Sequence, residues 1–289
     1  MRPLSLALLA LLSVTTLASE AAGLRFSLVK TAEIPTPDVP VGTNGYRAEK
    51  QPSDHIAVLI EHHAATLLLD TSLGRQVDSQ FAAQAPLLAK LPRPYGPVTP
   101  ARDQLDRDGI RIDRILLTDT RWNSASGLAD YPEIPVWAPY EAIDSSRMTA
   151  APSILPNQFN HGVNWVPYVF EPLARMGFSE SLDLFGDGSL VLVPLADSTP
   201  GSVGLFLTLD DGRQFFFNGA VGEFETSEAR EEQRKASRVT ADQDAGLLVR
   251  QQLRRMTAQN PDLTIIPAHD ARANQPLGYY PQWVESQIQ

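Results

Sequence analysis

The sequence predicts an α/β protein, a four-layer α/β/β/α sandwich in a single domain. Two successive groups of strand-like segments, in residues 25–118 and 182–217, are each followed by a helix-like segment. That order suits two packed sheets with helices on their outer faces. The chain has 289 residues and no tract of linker composition divides it, so one large core is expected.

The first group of strands begins with three closely spaced segments. Runs of apolar and β-branched residues predict strands over residues 25–34, 55–61 and 65–70, and a hairpin turn joins the last two. The histidines of this region are interpreted as surface or packing residues: His55, His62 and His63.

A helix and a fourth strand lead to the first candidate site. The pair Thr99-Pro100 predicts a side-chain cap and a proline at the first position of a helix over residues 101–108. The strand predicted over residues 110–118 runs directly into Asp119. A polar residue after a buried strand favours a functional site at the carboxyl end of that strand.

The middle of the chain is less regular. A loop or helix start is predicted over residues 122–130, a short strand over 135–138 and a helix over 139–146, which its proline opens. Residues 149–177 are rich in Pro, Asn and aromatic side chains, so a long insertion over one face is expected.

The second group of strands is predicted over residues 182–185, 189–195, 203–209 and 213–217. Acidic residues precede basic ones in residues 223–238, which is typical of a solvated helix. Thr240 and Gln243 predict a capping box for a helix that ends near Asn260, and a last strand follows over residues 263–266.

The amino terminus has the features of a secretory signal peptide. A positive charge at Arg2 precedes an apolar run over residues 4–14. Small residues suit cleavage after Ala18 or after Ala21, and the second position is favoured. We therefore expect a signal peptide over residues 1–21, a domain over 22–289, a periplasmic or secreted location, and no stable membrane anchor after cleavage. The chain has no Cys, so it forms no disulfide.

Charge and composition restrict the class of partner. The chain has 24 Lys and Arg against 34 Asp and Glu, a formal net charge of −10 at pH 7. An acidic protein lacks the basic surface that neutralises phosphates, so nucleic acid is excluded and a small molecule is the expected partner. Oligomeric state is left open.

Six segments resemble the metallo-β-lactamase fold hydrolases. The run Ala65 to Gly74 is similar to the second-strand signature of that family, and residues 115–128 are similar to its strand and H-x-H-x-D-H motif. The other four segments are similar to its G-D-G-S, G-H-T-P-G-S, G-D-A and P-G-H motifs, and they are residues 186–189, 197–202, 217–221 and 266–270. The resemblance implies a sandwich of the metallo-β-lactamase type.

The resemblance also implies a pair of zinc ions held by imidazole and carboxylate ligands. In this chain most of those ligand positions hold other residues. Asp119, Arg121 and Ser124 stand for histidines of the first motif and Asn123 for its aspartate, while Ser198 stands for the histidine of the fourth motif and Ala220 for the bridging aspartate. His269 is the one histidine that is retained.

These replacements argue against two adjacent zinc ions. Arg121 is a permanent cation without an acceptor atom, Asn123 is neutral, and Ala220 offers no donor atom. We expect no cofactor, with Arg121 paired to Asp119 or Asp70 in place of the metal charge. The alternative is one Zn or Mn ion held by four residues, which are Asp70, Asp119, Asp197 and His269.

The sequence thus favours a protein with a degenerate metal centre, a pseudoenzyme that binds a small polar or anionic ligand. The expected ligand-binding residues are Asp70, Asp119, Arg121, Asn123, Ser124, Asp197, Ser198 and His269. The alternative is a hydrolase of esters, lactones or amides that uses a single metal ion or an atypical site, including a serine nucleophile at Ser124 or Ser198 with His269 as base.

Overall fold

Two β-sheets lie at the centre of the molecule. The computed structural model describes residues 23–34, 53–84, 93–147, 154–155, 157–195, 199–219 and 242–287, without the side chains of 242–248 and 250. The strands of this described part are β1 Arg25–Ile34, β2 Ser53–His62, β3 Ala65–Leu69, β4 Arg114–Leu116, β5 Val136–Pro139, β6 Trp165–Tyr168, β7 Leu182–Asp183, β8 Leu190–Pro194, β9 Val203–Thr208, β10 Gln214–Phe217, β11 Leu263–Ile266 and β12 Val284–Glu285.

Strands β1 to β6 form the first sheet together with β12, and strands β7 to β11 form the second. The first sheet has the order β12-β1-β2-β3-β4-β5-β6, and the second has the order β11-β10-β9-β8-β7. Strands β3 to β6 pair in parallel, as do β10 and β11, and the other pairs are antiparallel. The carboxyl ends of the parallel strands therefore share one edge in each sheet.

Short helices connect the strands of the first sheet, and a long one packs on the second. They are α1 Val77–Ala82, α2 Ala101–Arg107, α3 Trp122–Ala125, α4 Tyr140–Ser146, α5 Asp242–Gln259 and α6 Ala271–Asn274, with 3₁₀ turns at Ser126–Asp130 and Gln275–Leu277. None of the helices in the described ranges is long and apolar enough to cross a membrane.

The largest apolar cluster lies between the two sheets. Phe26 of β1 contacts Phe215 and Phe217 of β10 edge to face, with ring centroids 4.9 and 5.2 Å apart. Leu67 of β3 and Leu205 of β9 are fully buried in the same cluster. Alternation along each strand sends every second side chain to this layer, so burial of the inner faces holds the sheets together.

The opposite face of each sheet is covered by helices. Leu59 of β2 packs with Leu105 of α2, in the cluster on the outer side of the first sheet. On the second sheet, Phe206 and Phe216 pack with Leu253 of α5. The four layers are therefore helix, sheet, sheet and helix, which confirms the predicted α/β/β/α sandwich.

Two predictions for the first sheet were wrong in extent. The strand expected over residues 110–118 is confined to Arg114–Leu116, because residues 110–113 form the connection from α2. The expected insertion over 149–177 contains β6, which pairs in parallel with β5 as an edge strand. The proline content of this segment favoured an insertion, but Pro167 lies in an edge strand, which tolerates proline.

The predicted cap of α2 was also wrong. The cap position is Pro100, and no side chain caps the helix. Thr99 instead extends the contact with β1, because its amide donates to the Thr31 carbonyl at 2.7 Å. The predicted signal peptide, the charged helix over 223–238 and the capping residue Thr240 lie outside the described residues.

Candidate functional site

The candidate site lies where the carboxyl ends of strands from both sheets meet. The Val203 amide of β9 donates to the carbonyl of Thr118, just after β4, at 2.8 Å. The amide of Ala268, after β11, donates to the carbonyl of Gly219, after β10, at 2.9 Å. Loops at such strand ends place side chains from distant parts of the chain together.

Asp70 ties the ends of β3 and β4 together. Its Oδ1 accepts from the Thr118 amide at 2.7 Å and its Oδ2 accepts from the Thr118 hydroxyl at 2.6 Å. Burial, and then the negative charge of Asp119, raise the pKa of Asp70 to about 8. Through these two bonds Asp70 fixes the residues that follow β4. A proton on Asp70 removes its charge and so lowers the free-energy cost of burying it beside Asp119.

Asp119 and Arg121 form a buried ion pair. The Arg121 Nε and Nη2 atoms donate to Asp119 Oδ2 at 2.9 and 2.5 Å, and the Arg121 amide donates to Oδ1 at 2.9 Å. The exposed fractions of the two side chains are 1% for Asp119 and 14% for Arg121. Burial acts to raise the pKa of Asp119, but the charge and hydrogen bonds of Arg121 hold it below its ordinary value. The pairing predicted for Arg121 is confirmed.

His269 is held by contacts at both ring nitrogens. Its Nδ1 lies 2.9 Å from the Asp54 carbonyl, which can only accept, so Nδ1 carries the proton. Its Nε2 therefore presents a lone pair, to which the Asn123 side-chain amide donates. Burial lowers the pKa of His269 to about 4, so the ring is neutral at pH 7.

Ser124 anchors the loop through its backbone. Its carbonyl accepts from the amides of Thr71 and Ser72 at 2.9 and 3.0 Å and from the Thr71 hydroxyl at 3.2 Å. Its side-chain hydroxyl also hydrogen-bonds Asp119 and contributes to lowering the pKa of that carboxyl. These bonds fix α3 against the end of β3.

Sequence reasoning missed the part of His55 in this site. His55 is the third residue of β2, far from the hairpin turn. The centroid of its ring lies 4.7 Å from that of His269 and 5.4 Å from that of Trp122. Burial lowers the pKa of His55 to about 3. The preceding Asp54 supplies the carbonyl that orients His269. The signal in the sequence was the polar pair Asp54-His55, which directly precedes the apolar run of residues 56–60.

The structure brings six of the predicted residues to this one region: Asp70, Asp119, Arg121, Asn123, Ser124 and His269. The other two, Asp197 and Ser198, lie outside the described residues, as does Ala220.

Comparison with solved structures finds the same fold at low sequence identity. An N-acyl homoserine lactone hydrolase, with the product N-hexanoyl-L-homoserine bound at its catalytic metal centre, superposes with a TM-score of 0.63 at 12% identity, covering 91% of this chain and 100% of that one. A hydrolase of the β-lactamase superfamily gives a TM-score of 0.53 at 16% identity over 93% and 99% of the two chains.

A probable metal-dependent hydrolase from Staphylococcus aureus gives a TM-score of 0.52 at 11% identity, covering 93% of this chain and 99% of that one. No family model matches the sequence, and no curated protein matches it. At this identity the likeness concerns the fold, which agrees with the motifs quoted above. This chain therefore has the metallo-β-lactamase fold.

Proposed function

We propose that this chain is an exported, non-hydrolytic protein of the metallo-β-lactamase fold that binds a small polar or anionic molecule. Its own side chains take the place of a zinc pair. The observation that carries the proposal is the Arg121 guanidinium lying on Asp119, inside the region where the fold would place metal ions.

The residues present do not fit a pair of zinc ions. Asp119 stands for a histidine of the H-x-H-x-D-H motif, and both of its oxygens accept hydrogen bonds from Arg121. The lone pair on His269 Nε2, the atom that would bind an ion, accepts from Asn123. Ala220, at the position of the bridging carboxylate, offers no ligand atom.

A single metal ion is also disfavoured by these contacts. An ion on Asp119 and His269 would have to displace Arg121 from one and Asn123 from the other. It would also lie beside the Arg121 cation, and like charges repel strongly where burial reduces screening. Asp70 adds little, because both of its oxygens bond Thr118.

The same guanidinium suggests the class of ligand. A planar guanidinium hydrogen-bonds carboxylates and phosphates in a fork that lysine cannot reproduce. The side chain of Arg121 is 14% exposed, so a small molecule can reach its outer edge. Export rests on the amino-terminal sequence pattern alone, as residues 1–21 are outside the described part of the chain.

Two measurements on the purified protein test the proposal. In a thermal-shift panel of small carboxylates, phosphates and neutral polar molecules, we expect at least one class to raise the melting temperature of the wild type and to lose that effect in Arg121→Lys. Arg147→Lys, which changes an exposed arginine, is the matched control.

The second measurement is hydrolysis of N-acyl homoserine lactones, chosen because a structurally similar protein is a hydrolase of that class. We expect no turnover above the uncatalysed rate, with or without added Zn²⁺ or Mn²⁺. Metal-dependent turnover that Asp119→Asn abolishes would overturn the proposal and establish the single-metal hydrolase.

A further inference from the structure

A second polar cluster lies at the opposite end of the first sheet. His62 ends β2, His63 follows in the turn to β3, and Asp187 lies in the turn between β7 and β8. His62 is seven residues along β2 from His55, which corresponds to about 23 Å at the usual rise of a strand. The cluster is therefore separate from the site around His269, and it joins turns from the two different sheets.

The three side chains are close enough to share one ion. His62 Nε2 lies 3.0 Å from Asp187 Oδ2, and one ligand atom from each of His62, His63 and Asp187 lies within 4.8 Å of the others. The rings of the two histidines are 3.9 Å apart between centroids. His63 is exposed in the turn, so rotation of its side chain can shorten the longer separations.

Contacts around the cluster orient two of these side chains. The His62 ring is 2% exposed and stacks on Phe185, with centroids 4.0 Å apart and planes 11° from parallel. Asp187 Oδ1 accepts from the amide and the hydroxyl of Ser189 at 2.9 and 2.5 Å, which leaves Oδ2 directed at His62. Orientation of ligands by such surrounding bonds is a common feature of metal sites.

We propose that His62, His63 and Asp187 bind one divalent transition-metal ion, with Zn²⁺ as the preferred ion. Two imidazoles and one carboxylate are ligands that Zn²⁺ accepts, with water in the fourth position of a tetrahedron. A cavity of about 270 Å³ adjoins the three residues and is lined also by Ser189 and Asp210, so there is room for that water.

Binding requires a change of tautomer but no net change in protons. His62 Nδ1 accepts from the Ala64 amide at 3.2 Å, so in the ion-free protein Nε2 carries the proton that points to Asp187. An ion at Nε2 moves that proton to Nδ1. The amide of Ala64 loses its contact, but Ala64 is exposed and water replaces the imidazole.

The ion would act as a clamp between the sheets. It would link the β2–β3 turn of the first sheet to the β7–β8 turn of the second, in a chain that has no Cys to form a disulfide. Because an ion that binds the folded state stabilises it by mass action, the melting temperature should rise with the concentration of free metal.

The test uses the full chain purified without an oligohistidine tag, stripped with a chelator and then titrated with Zn²⁺. We expect one ion per chain by calorimetry, a higher melting temperature, and with Co²⁺ the visible absorption of a tetrahedral complex. His63→Ala and Asp187→Asn should each raise the dissociation constant about tenfold or more. His161→Ala and Asp144→Asn, which change the same residue types elsewhere, should not.

The variants also separate this site from the region around His269. Asp119→Asn should leave Zn²⁺ binding unchanged. Failure of the wild type to bind Zn²⁺, or equal binding by His63→Ala and Asp187→Asn with unchanged circular dichroism, would overturn the inference and leave His62 and Asp187 as a hydrogen-bonded pair. Binding that is lost in Asp119→Asn but kept in His63→Ala would overturn both this inference and the metal-free centre proposed above.

Discussion

Arg121 and Asn123 each donate to a buried acceptor of the candidate site. Arg121 neutralises Asp119 with two side-chain hydrogen bonds, and Asn123 donates to the one lone pair that neutral His269 presents. A buried carboxylate without a cation costs several kcal/mol, so the Arg121 guanidinium stabilises the buried Asp119.

Removal of the guanidinium tests this account. Arg121→Ala leaves Asp119 buried without a cation, so we expect the free energy of unfolding to fall by roughly 3–5 kcal/mol. Urea denaturation of the wild type and the variant measures the change. Arg147→Ala is the control, because its exposed pair with Asp144 should contribute less than about 1 kcal/mol. Equal midpoints for Arg121→Ala and the wild type would contradict the role of Arg121.

At the scale of the elements, the loops after the strands are held by close backbone approaches. Gly201, in the loop that leads to β9, has a φ of 77° and lies against α4, where an added Cβ would fall on the backbone nitrogen of Ala142. The contact therefore sets the position of Gly201, just before β9, relative to a helix of the first sheet. The resemblance places this glycine in a motif beside the site.

Two glycine substitutions distinguish the effect of this contact on stability from the effect of backbone strain. Gly201→Ala introduces both a left-handed alanine and a clash, whereas Gly212→Ala introduces a left-handed alanine, at a φ of 87°, with no atom within 4 Å of its Cβ. We expect Gly201→Ala to be less stable than Gly212→Ala by roughly 1–3 kcal/mol in urea denaturation. Equal losses would show that the approach to Ala142 is easily relaxed.

At the scale of the whole molecule, buried titratable groups make the free energy of unfolding fall at both acidic and alkaline pH. Burial lowers the pKa of His269 to about 4 and that of His55 to about 3, from an ordinary value of 6.5. Between about pH 4 and 6.5 the unfolded chain binds these two protons and the folded chain does not, so stability rises with pH. Asp70 acts oppositely, because its folded pKa of about 8 lies above the ordinary 3.8.

The two effects together predict a maximum of stability near pH 6.5. Below that pH the two histidine protons of the unfolded state outweigh the one proton that Asp70 binds in the folded state. Above it Asp70 alone remains of these three groups, and stability falls as pH rises towards 8. Melting temperatures from pH 4.5 to 9 measure this curve.

The variant Asp70→Asn tests whether Asp70 causes the loss of stability on the alkaline side of the maximum. Protonation of Asp70 reverses the bond that its carboxylate accepts from the Thr118 hydroxyl, and asparagine reproduces that arrangement, because its oxygen accepts from the Thr118 amide and its NH₂ donates to the hydroxyl. We expect this variant to lose the decline between pH 6.5 and 8 while it keeps the acid-side decline. A variant with the wild-type decline would assign the alkaline loss to other groups.

The strands that were predicted well are those whose segments are rich in apolar and β-branched residues. Residues 25–34 and 263–266 form strands with the predicted bounds, because such segments bury at least one face of the strand. The prediction failed at residues 110–113 and at β6, because there the pairing with a neighbouring strand decides whether a strand forms. A strand needs a neighbour to pair with, and β6 exists because β5 offers an open parallel edge.

The amino-acid sequence by itself determined the layered fold, since the order of its apolar segments and the motifs between them indicate it. It also determined that Arg121 would need an anion. Tertiary structure alone decided that the anion is Asp119, that Asn123 donates to His269, and that His55 lies beside them. Contacts between residues far apart in the chain depend on how strands and loops pack, and no local pattern records that.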